Sequence, residues 1–488
     1  MTEPENSNNT RQYGIGIDFG TSNSAAAVFD GKQITMVMLE QNSSIMPSAT
    51  YISRDFVAQT GQDAIDTYIS QNQGRKVELS VEILGEARTS TGQMDPSTRL
   101  PAEAETSLVY GQAFNDGSLP GRLFRGTKRL LGTKSSDRIM VFNRPFRLVA
   151  LITPILLKIE KCIKQTLADI TSMQTVNIDT SHACLGHPVN FEGRENDHNQ
   201  LALERLSESY QHAGISTQSF YPEPTAATLS YFHANPQHKS EVVLTVDFGG
   251  GTLDLCILKR HGVSFEVVAI HGVALGGDHI DQCLFRKVLF PLLGKGERWR
   301  REVEGKLIDT FFPFEDYEEL LINWTVSYML NQNKYTTPVI DLIKQAGEGA
   351  IKFQRLYELI TQNYCYQVFQ AIKDCKAELS EKESAVLNIP EIDVEFSIDR
   401  AAFEVMIKDQ LVQFKQAVQD ILLSANMQPG EINLVLRTGG SSLIPAVKNI
   451  LENQFPDKVV EHDPFTSVAA GLAIADYYSY GQPLGNNS

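Results

Sequence analysis

The sequence lacks several features that mark particular classes of protein. None of its six cysteines lies in a CxxC pair, and 488 residues can build a core without disulfide staples. The longest apolar run, 148–157, is far shorter than the ~20 residues that cross a bilayer. The N-terminus is acidic and polar, unlike a signal peptide. The sequence therefore predicts a soluble, cytoplasmic protein with reduced and mostly buried thiols.

Positive charge is scarce as well. The chain has 43 lysines and arginines against 59 aspartates and glutamates, which leaves a net charge of −16. Such a surface repels phosphate backbones and anionic lipid at long range, so we expect neither a nucleic-acid partner nor a membrane. The stretch 296–306 has one tryptophan among bases, but its interleaved glutamates favour a solvated helix face. The length predicts about three compact units.

Two segments of the chain carry the same pattern. Residues 13–38 predict a strand that ends at Asp18, a small polar loop, a second strand, an Asp-Gly turn of type I′ and a third strand. Residues 242–269 repeat this order, with Asp247 in the place of Asp18. The repeat predicts two matching halves with a cleft between them.

Periodicity predicts the other elements. Residues 85–121 are rich in Gly, Ser, Thr, Pro and acids, which indicates a surface insertion. His182, Cys184 and His187 are close together, but a short strand fits this context better than a metal site. The remaining predictions are helices over 155–170, 199–213 and 444–454, a mainly helical region over 280–388, and strands over 388–398 and 433–436.

The two loops after the acids are suited to phosphate. Glycine and hydroxyl residues at 249–252 let backbone N–H groups approach phosphate oxygens, because no Cβ stands in the way. No lysine follows at the spacing of a P-loop, which excludes that fold. Two acids beside a polyphosphate require a divalent cation to balance the charge, and Mg²⁺ held largely through waters is the usual solution.

Six motifs follow one another along the chain: IGIDFGTSNSAAAVF, KRLLG, YPEPTAATLSYF, VDFGGGTLDLCIL, ALGGDHID and LVLRTGGSSLIPAVKNIL. Together they resemble the nucleotide-binding domain of the DnaK-type chaperones, the 70-kilodalton heat-shock protein family of the actin-like ATPases. The resemblance implies that the first and fourth motifs are phosphate loops and that KRLLG carries the catalytic lysine. It also implies that YPEPTAATLSYF lies between the lobes, that ALGGDHID is a further family signature, and that the last motif lies at the adenosine. The resemblance implies an α/β, duplicated ribonuclease-H-like (actin/DnaK ATPase) fold with two lobes around a central nucleotide cleft and an inserted subdomain in each lobe.

The resemblance also implies a division of the chain. Family members continue into a β-sandwich that grips unfolded peptide, whereas we expect this chain to lack one and to be similar to the short YegD-type members. The expected parts are a disordered tail over 1–12, a first lobe over 13–240 with an insertion over about 48–148, a second lobe over 241–478 with a helical insertion over about 281–400, and a C-terminal tail over 479–488.

Each candidate residue receives a role from the resemblance. Asp18 and Asp247 would position Mg²⁺ through waters, and Lys128, which otherwise suggests a surface lysine, would lie beside the γ-phosphate. Glu223 would hold a metal-bound water or the geometry between the lobes. The implied catalytic residues are Lys128, Asp247, Glu223, Thr252 and Asp18, with Asp254 behind them. The implied nucleotide contacts are Gly20, Thr21, Ser22, Asn23, Gly249, Gly250, Gly251, Thr252, Gly276, Gly277, Lys376, Ser380, Gly439, Gly440 and Ser441.

Recognition of the base departs from the family. Ala377 and Leu443 stand where basic side chains usually sandwich adenine, and Phe465 replaces an aspartate. ATP or ADP with Mg²⁺ remains the predicted ligand. We expect an ATP-hydrolysing conformational switch that reports its state to an unknown protein partner or client, with 85–121 and the helical part of the second lobe as contact surfaces. The alternatives are a filament-forming relative of actin and a small-molecule kinase of the same fold.

Overall fold

The computed structural model describes most of the chain. Residues 1–10 of the predicted tail over 1–12 and residues 482–488 of the predicted tail over 479–488 lie outside the described residues, as does much of the predicted insertion over 85–121. The described residues are 11–481, with the exception of 78, 81–82, 90–104, 111–114, 117, 143, 172–177, 194–196, 263, 304, 346, 348 and 464.

The first half of the chain forms a sheet and the elements inserted into it. Its helices are α1 (Gln62–Asn72), α2 (Leu148–Thr171), α3 (His198–His212) and α4 (Glu223–Ala234). Its strands are β1 (Gly14–Phe19), β2 (Asn23–Phe29), β3 (Ile34–Met36), β4 (Ile45–Pro47), β5 (Ala49–Ser53), β6 (Ala58–Thr60), β7 (Leu79–Ser80), β8 (Ile83–Thr89), β9 (Glu105–Tyr110), β10 (Asn115–Asp116), β11 (Gly121–Arg125), β12 (Arg138–Val141), β13 (Arg144–Arg147), β14 (His182–His187) and β15 (Thr217–Pro222).

The second half has more helix. Its strands are β16 (Val242–Phe248), β17 (Leu253–His261), β18 (Ser264–Val273), β19 (Arg298–Val303), β20 (Lys306–Phe311), β21 (Ser384–Ile389), β22 (Val394–Asp399), β23 (Leu434–Thr438) and β24 (Val459–Glu461). Its helices are α5 (Gly277–Leu284), α6 (Phe290–Leu292), α7 (Glu315–Ile322), α8 (Asn333–Lys344), α9 (Ala350–Gln362), α10 (Cys365–Glu381), α11 (Arg400–Met406), α12 (Lys408–Ser424), α13 (Pro445–Gln454) and α14 (Ser467–Tyr477).

Two β-sheets share one topology. The first has the order β15-β14-β1-β2-β3, with β4 also paired to β2, and the second has the order β24-β23-β16-β17-β18. In both sheets the first three strands along the chain pair antiparallel through two hairpins. The last two strands of each half then add in parallel. Helices α2, α3 and α4 occupy the chain positions that α12, α13 and α14 occupy in the second half. The predicted duplicated α/β fold is confirmed.

The register of the first hairpin is also repeated. Asp18 lies opposite Ala25, and Asp247 lies opposite Asp254. Side chains alternate across a strand, so the neighbours of each acid point the other way. Ile17 belongs to the core beneath the first sheet, and the residues on either side of Asp247 belong to the core beneath the second. Both acids therefore lie on the sheet faces that the two halves turn towards each other.

The last helix of each half reaches the sheet of the other. Helix α14, which we predicted to belong to the second lobe, packs on the first sheet instead, because β1 offers glycines there. A Cβ on Gly16 would lie 2.3 Å from the carbonyl oxygen of Ala469. In the same way, Tyr231 and Phe232 of α4 join Val243 in a cluster on the second sheet. These two crossing helices connect the lobes.

One helical prediction is wrong. Within the stretch 296–306, residues 298–303 form strand β19, which pairs with β20 in an antiparallel hairpin. The charges that suggested a helix face are used across the strands: Arg298 Nε lies 2.9 Å from Asp309 Oδ1. Gly305, with φ of 76°, makes the tight turn. A stretch of mixed charges therefore does not distinguish a solvated helix face from a hairpin with ion pairs across its strands.

Turn chemistry corrects two further predictions. The single strand predicted over 388–398 is split between β21 and β22, with Asp393 in the left-handed region at φ of 51° between them. The first hairpin forms as predicted, but its turn is not of type I′. Only Gly31 has positive φ there, and Asp30 Oδ1 accepts backbone N–H bonds from Lys32 and the next residue.

The other predicted elements agree with the structure. The helices predicted over 155–170, 199–213 and 444–454 are α2, α3 and α13, and the strand predicted over 433–436 is β23. His182 and His187 bound strand β14, as the strand interpretation required. No group of three metal-ligating side chains occurs among the described residues. In the same residues, no helix combines the length and the apolarity needed to cross a bilayer.

The cysteines confirm the predicted thiol state. All six are free, and only Cys162 is even partly exposed. Burial raises the pKa of Cys184, Cys256 and Cys365 to about 12 each. A thiol with such a pKa is protonated at neutral pH, so these side chains act as small apolar core residues.

Candidate functional site

The site is built around two buried carboxylates. Asp18 ends β1 and Asp247 ends β16, so the duplicated sheets bring them to one cleft. Burial raises the pKa of Asp18 to about 7, and the charge of Glu223 adds to the effect. Burial likewise raises the pKa of Asp247 to about 7, with further contributions from Asp254, Glu223 and Asp18. Carboxylates from both halves therefore repel one another in a poorly hydrated space.

Lys128 is the cation among these acids. Its side chain is only 7% exposed, and its Nζ lies 2.6 Å from Glu223 Oε1. Burial by itself would lower the pKa of Lys128, but the charges of Glu223 and Asp18 outweigh it and the pKa is raised. The alternative of a surface lysine is wrong. A short helical turn, Thr127–Leu130, carries the side chain inwards from the first lobe.

The charge of this cluster suits a divalent cation. Asp18, Glu223, Asp247 and Asp254 surround one ammonium, and a cavity of about 530 Å³ borders the last three acids. The described residues nevertheless offer no three ligands close enough to hold a metal directly. Mg²⁺ retains several waters in many protein sites. The residues present therefore fit a Mg²⁺ ion that Asp18 and Asp247 would hold largely through waters.

The two glycine loops face each other across the cleft. A Cβ on Gly250 would lie 3.4 Å from Ser22 Oγ, so the first loop touches the second. A Cβ on Gly251 would meet nothing within 4 Å, which marks open space beside the backbone. Thr252 closes the second loop: its carbonyl oxygen accepts from the Gly249 N–H at 3.1 Å. Its hydroxyl donates to Asp254 at 2.7 Å.

The first loop is equally constrained. A Cβ on Gly20 would lie 2.1 Å from the carbonyl oxygen of Asn23, so the tight turn between β1 and β2 requires glycine. The Ser22 carbonyl oxygen accepts from the N–H of Ser48 at 2.9 Å. Thr21, between Gly20 and Ser22, is partly exposed. The loop thus presents Thr21, Ser22 and Asn23 at the mouth of the cleft.

Two other segments, 276–277 and 439–441, hold the second loop. The carbonyl oxygen of Gly249 accepts from the Gly277 N–H and from the Ser441 hydroxyl, both at 3.0 Å. A Cβ on Gly276 would lie 2.2 Å from the carbonyl oxygen of Gly250. Gly439, with φ of 77°, approaches Asp247 just as closely: a Cβ there would lie 2.5 Å from its Oδ1. The predicted glycines therefore meet at one place.

Lys376 links these loops to the helical insertion. Its Nζ lies 2.6 Å from Asp281 Oδ1 and donates to the carbonyl oxygen of Gly277 at 3.2 Å. Asp281 is 1% exposed, and burial raises its pKa. Lys376 was predicted as a nucleotide contact, whereas its buried partner Asp281 was not predicted. The ALGGDHID motif contains Asp281, but only the fold shows that α10 brings a lysine to it.

The predicted base contacts are only partly assembled. Ser380 shares α10 with Lys376, but its hydroxyl donates to the Lys376 carbonyl oxygen at 3.2 Å. Ala377 is exposed on the same helix, and Leu443 ends the short turn after Gly439. A Cβ on Gly440 would lie 3.2 Å from the Phe465 ring. The aromatic ring of Phe465, which stands where the resemblance predicts an aspartate, therefore borders the Gly439–Gly440 turn.

A tryptophan makes a contact between the two halves that was not anticipated. Trp324, from the second half, packs edge to face against Tyr68 of α1, with ring centroids 6.0 Å apart. The Arg125 guanidinium lies over its ring at 5.3 Å. Tyr68 also donates a hydrogen bond to the carbonyl oxygen of Thr325. The two lobes therefore touch at the phosphate loops and again at Trp324.

Comparison with known proteins agrees with this geometry. The family model described as "Hsp70 protein" matches residues 154–291 and 353–478. A chaperone protein DnaK of Mycoplasmoides gallisepticum is 27% identical over 273 residues, covering 54% of this chain and 36% of the relative. A chaperone protein dnaK of Emiliania huxleyi is 25% identical, covering 94% and 59%. The mitochondrial heat shock 70 kDa protein of Pisum sativum is 24% identical, covering 97% and 56%. The chain thus spans at most about three fifths of the length of these relatives.

Proposed function

Because the chain belongs to the Hsp70 family, we propose that it binds ATP with Mg²⁺ between its lobes, hydrolyses it, and changes lobe closure with the nucleotide bound. We further propose that a protein partner or client responds to this change, as a chaperone function would require. The names of the relatives, which are chaperone and heat-shock proteins, support that part. The lobe boundary is proposed near residue 240, with α14 assigned to the first lobe.

One observation carries the enzymatic part of the proposal. The Lys128–Glu223 ion pair lies in the same cluster as Asp18 and Asp247, and the two glycine loops start at those acids. Open space beside Gly251 leaves room for phosphate oxygens. Phosphoryl transfer needs positioning and charge neutralisation more than covalent chemistry from the protein. This arrangement offers both.

Each residue then has a defined task. Bound Mg²⁺ would neutralise polyphosphate charge, with Asp18 and Asp247 holding its waters. Lys128 keeps its proton because of its acidic neighbours, so it offers a fixed positive charge where negative charge develops. Glu223 fixes the Lys128 ammonium at 2.6 Å, and Asp254 orients the hydroxyl of Thr252. The glycine loops supply backbone N–H groups.

The conformational part rests on contacts between the lobes. Ser22 of the first loop meets Gly250 of the second, so a polyphosphate bound there contacts both lobes. The crossing helices α4 and α14 connect the sheets, and α4 begins at Glu223. A ligand that holds one lobe against the other shifts the equilibrium towards closure by its differential affinity for the closed state.

Phosphate release from ATP by the purified protein tests the enzymatic part. We expect release that requires Mg²⁺, and a decrease of about 10²-fold in Asp247→Asn, since that change removes a charge that positions the cation. Asp393→Asn is the control, because Asp393 is 88% exposed on the β21–β22 turn. Phosphate that appears on a metabolite would instead indicate a kinase. ATP-dependent pelleting would indicate a filament.

Trp324 reports lobe closure directly. The chain has two tryptophans, so Trp299→Phe leaves Trp324 as the reporter. We expect ATP with Mg²⁺ to change its emission and reduce its quenching by acrylamide, because lobe opening would expose a ring that is 5% exposed when the lobes touch. Trp324→Phe, which retains Trp299 on the β19 hairpin, should show neither response. Identical quenching with ATP, with ADP and without nucleotide would rule out the switch.

A further inference from the structure

Positive charge is concentrated in one part of this acidic protein. Residues 121–147 contain eight lysines and arginines but one acid, in a chain of net charge −16. They form β11, the turn that carries Lys128, and the hairpin of β12 and β13. Lys128 is directed into the cleft, whereas arginines of the hairpin lie on the outside. We call the residues Arg54, Arg122, Arg138, Arg144 and Arg147 the arginine patch.

Aromatic rings hold two of these arginines in place. The Arg144 guanidinium lies 4.3 Å from the centroid of the Phe56 ring, and that of Arg54 lies 4.9 Å from the Phe142 centroid. Phe56 stacks in turn on Phe146, at 5.8 Å. A guanidinium held over a ring keeps its planar set of N–H groups, which can bind a carboxylate with two hydrogen bonds. Stacking thus lowers the entropy cost of binding an anion.

The hairpin also places like charges opposite each other. Arg138 and Arg147 are register partners, and such pairs are unfavourable across strands. Glu208 compensates Arg147, with its Oε2 2.7 Å from the Arg147 Nη2. Across the part of the chain that the structure describes, no carboxylate pairs with Arg138 or Arg144. These two exposed guanidiniums retain capacity for an external anion.

An apolar cavity adjoins the patch. It measures about 520 Å³, and Pro145, Phe146, Ala150 and Pro154 contribute to its walls. Leu157, one helical turn further along α2, is 47% exposed, and so at 52% is Met140 on β12. A cavity of this size accommodates a large aliphatic or aromatic side chain. Apolar surface and arginines are therefore available to the same partner.

We propose that this surface binds an acidic peptide segment of a partner protein. Its carboxylates would pair with Arg138 and Arg144, and one large apolar side chain would enter the cavity beside Pro145 and Pro154. Carboxylates and guanidiniums form bidentate pairs, and the apolar anchor would supply most of the buried area. The surface lies outside the nucleotide cleft, and its arginines belong to the part of the chain that precedes the matched family segments.

The structure favours a peptide over nucleic acid. Bases would need open aromatic faces to stack on, but guanidiniums cover Phe56 and Phe142, and Phe146 stacks on Phe56. The net charge of −16 also repels a long polyanion more strongly than a short peptide. Moreover, a charged phosphate backbone has no apolar group that could fill the cavity. Charge and shape together select a short segment with both acids and an apolar side chain.

Fluorescence anisotropy with a labelled peptide tests the proposal. The probe is Glu-Glu-Glu-Leu-Phe-Glu-Glu-Glu, titrated with the full chain. We expect Arg138→Glu/Arg144→Glu to weaken binding by about tenfold or more, because two attractive pairs become repulsive. Arg138→Glu alone, which disturbs no stacked ring, should give part of this loss. Ala150→Trp fills the cavity without a change of charge and should weaken this probe but not octaglutamate. ATP turnover should remain unchanged in all three variants.

A matched charge reversal elsewhere provides the control. Arg298→Glu/Arg301→Glu, on the β19–β20 hairpin, changes the net charge by the same amount and should leave peptide binding unaltered. If both double variants weakened peptide binding equally, the loss would come from the change in net charge, and the proposal would be overturned. A wild-type protein that does not bind the probe would also overturn it. Tighter binding of dodeca-thymidylate or of phosphatidylserine vesicles, lost in Arg138→Glu/Arg144→Glu, would assign the patch to nucleic acid or membrane instead.

Discussion

Lys128→Ala should lower ATP turnover by about 10²–10³-fold, the loss typical of removing one preorganised group that stabilises transition-state charge. Lys128 is buried and paired with Glu223 at 2.6 Å, so its charge is already fixed before the reaction. Its effect should therefore be greatest on the charge that develops during transfer. ATP affinity should change by about threefold or less, because Mg²⁺ and the backbone loops supply most ground-state binding. Phosphate release and calorimetric binding measure the two quantities.

Lys134→Ala is the matched control for this prediction. Lys134 lies six residues further along the chain, and its side chain is 57% exposed in an ion pair with an equally exposed Asp197. Exposed ion pairs contribute little, so neither turnover nor affinity should change. Turnover in Lys128→Ala equal to that of the unaltered protein would remove Lys128 from the mechanism. Loss of binding together with turnover would assign it to uniform nucleotide binding instead.

The two carboxylates and the loops that follow them could be predicted from short stretches of sequence. Asp18 and Asp247 each end an apolar strand before a loop of small residues, and that order is visible in a few consecutive residues. The strands that follow fix the register, and hence the face on which each acid lies. The two halves of the fold could therefore be aligned before any contact between them was known.

Long-range contacts could not be read in the same way. The burial of Lys128 depends on Glu223, 95 residues away, so only the family resemblance identified it. Asp281 and Trp324 were missed because their partners come from other segments. The placement of α14 on the first sheet depends on Gly16 and Ala469 approaching closely, at opposite ends of the chain. Each of these features depends on tertiary packing, which propensity and spacing do not encode.

The second large effect is expected at a glycine. Gly439→Ala should weaken nucleotide binding by about tenfold or more. The backbone has φ of 77°, and the added Cβ would lie 2.5 Å from both Asp247 Oδ1 and the Phe248 backbone. Strain of this kind costs about 1–3 kcal/mol, and its relief must displace Asp247 or the loop. Calorimetry with ADP and Mg²⁺, together with urea unfolding, measures both consequences.

Gly262→Ala separates strain from contact. Gly262 has φ of 67°, but a Cβ there would meet nothing within 4 Å, because it lies in the turn between β17 and β18. This variant should lose about 1–2 kcal/mol of unfolding free energy from the left-handed backbone alone and bind nucleotide normally. Equal stability losses in the two variants, with ADP bound equally by both, would show that residue 439 does not border the nucleotide. Weaker ADP binding in Gly439→Ala alone would show that the contact between residue 439 and Asp247 is needed for nucleotide binding. Both glycines have positive φ, but only a Cβ at residue 439 would contact a carboxylate of the cleft.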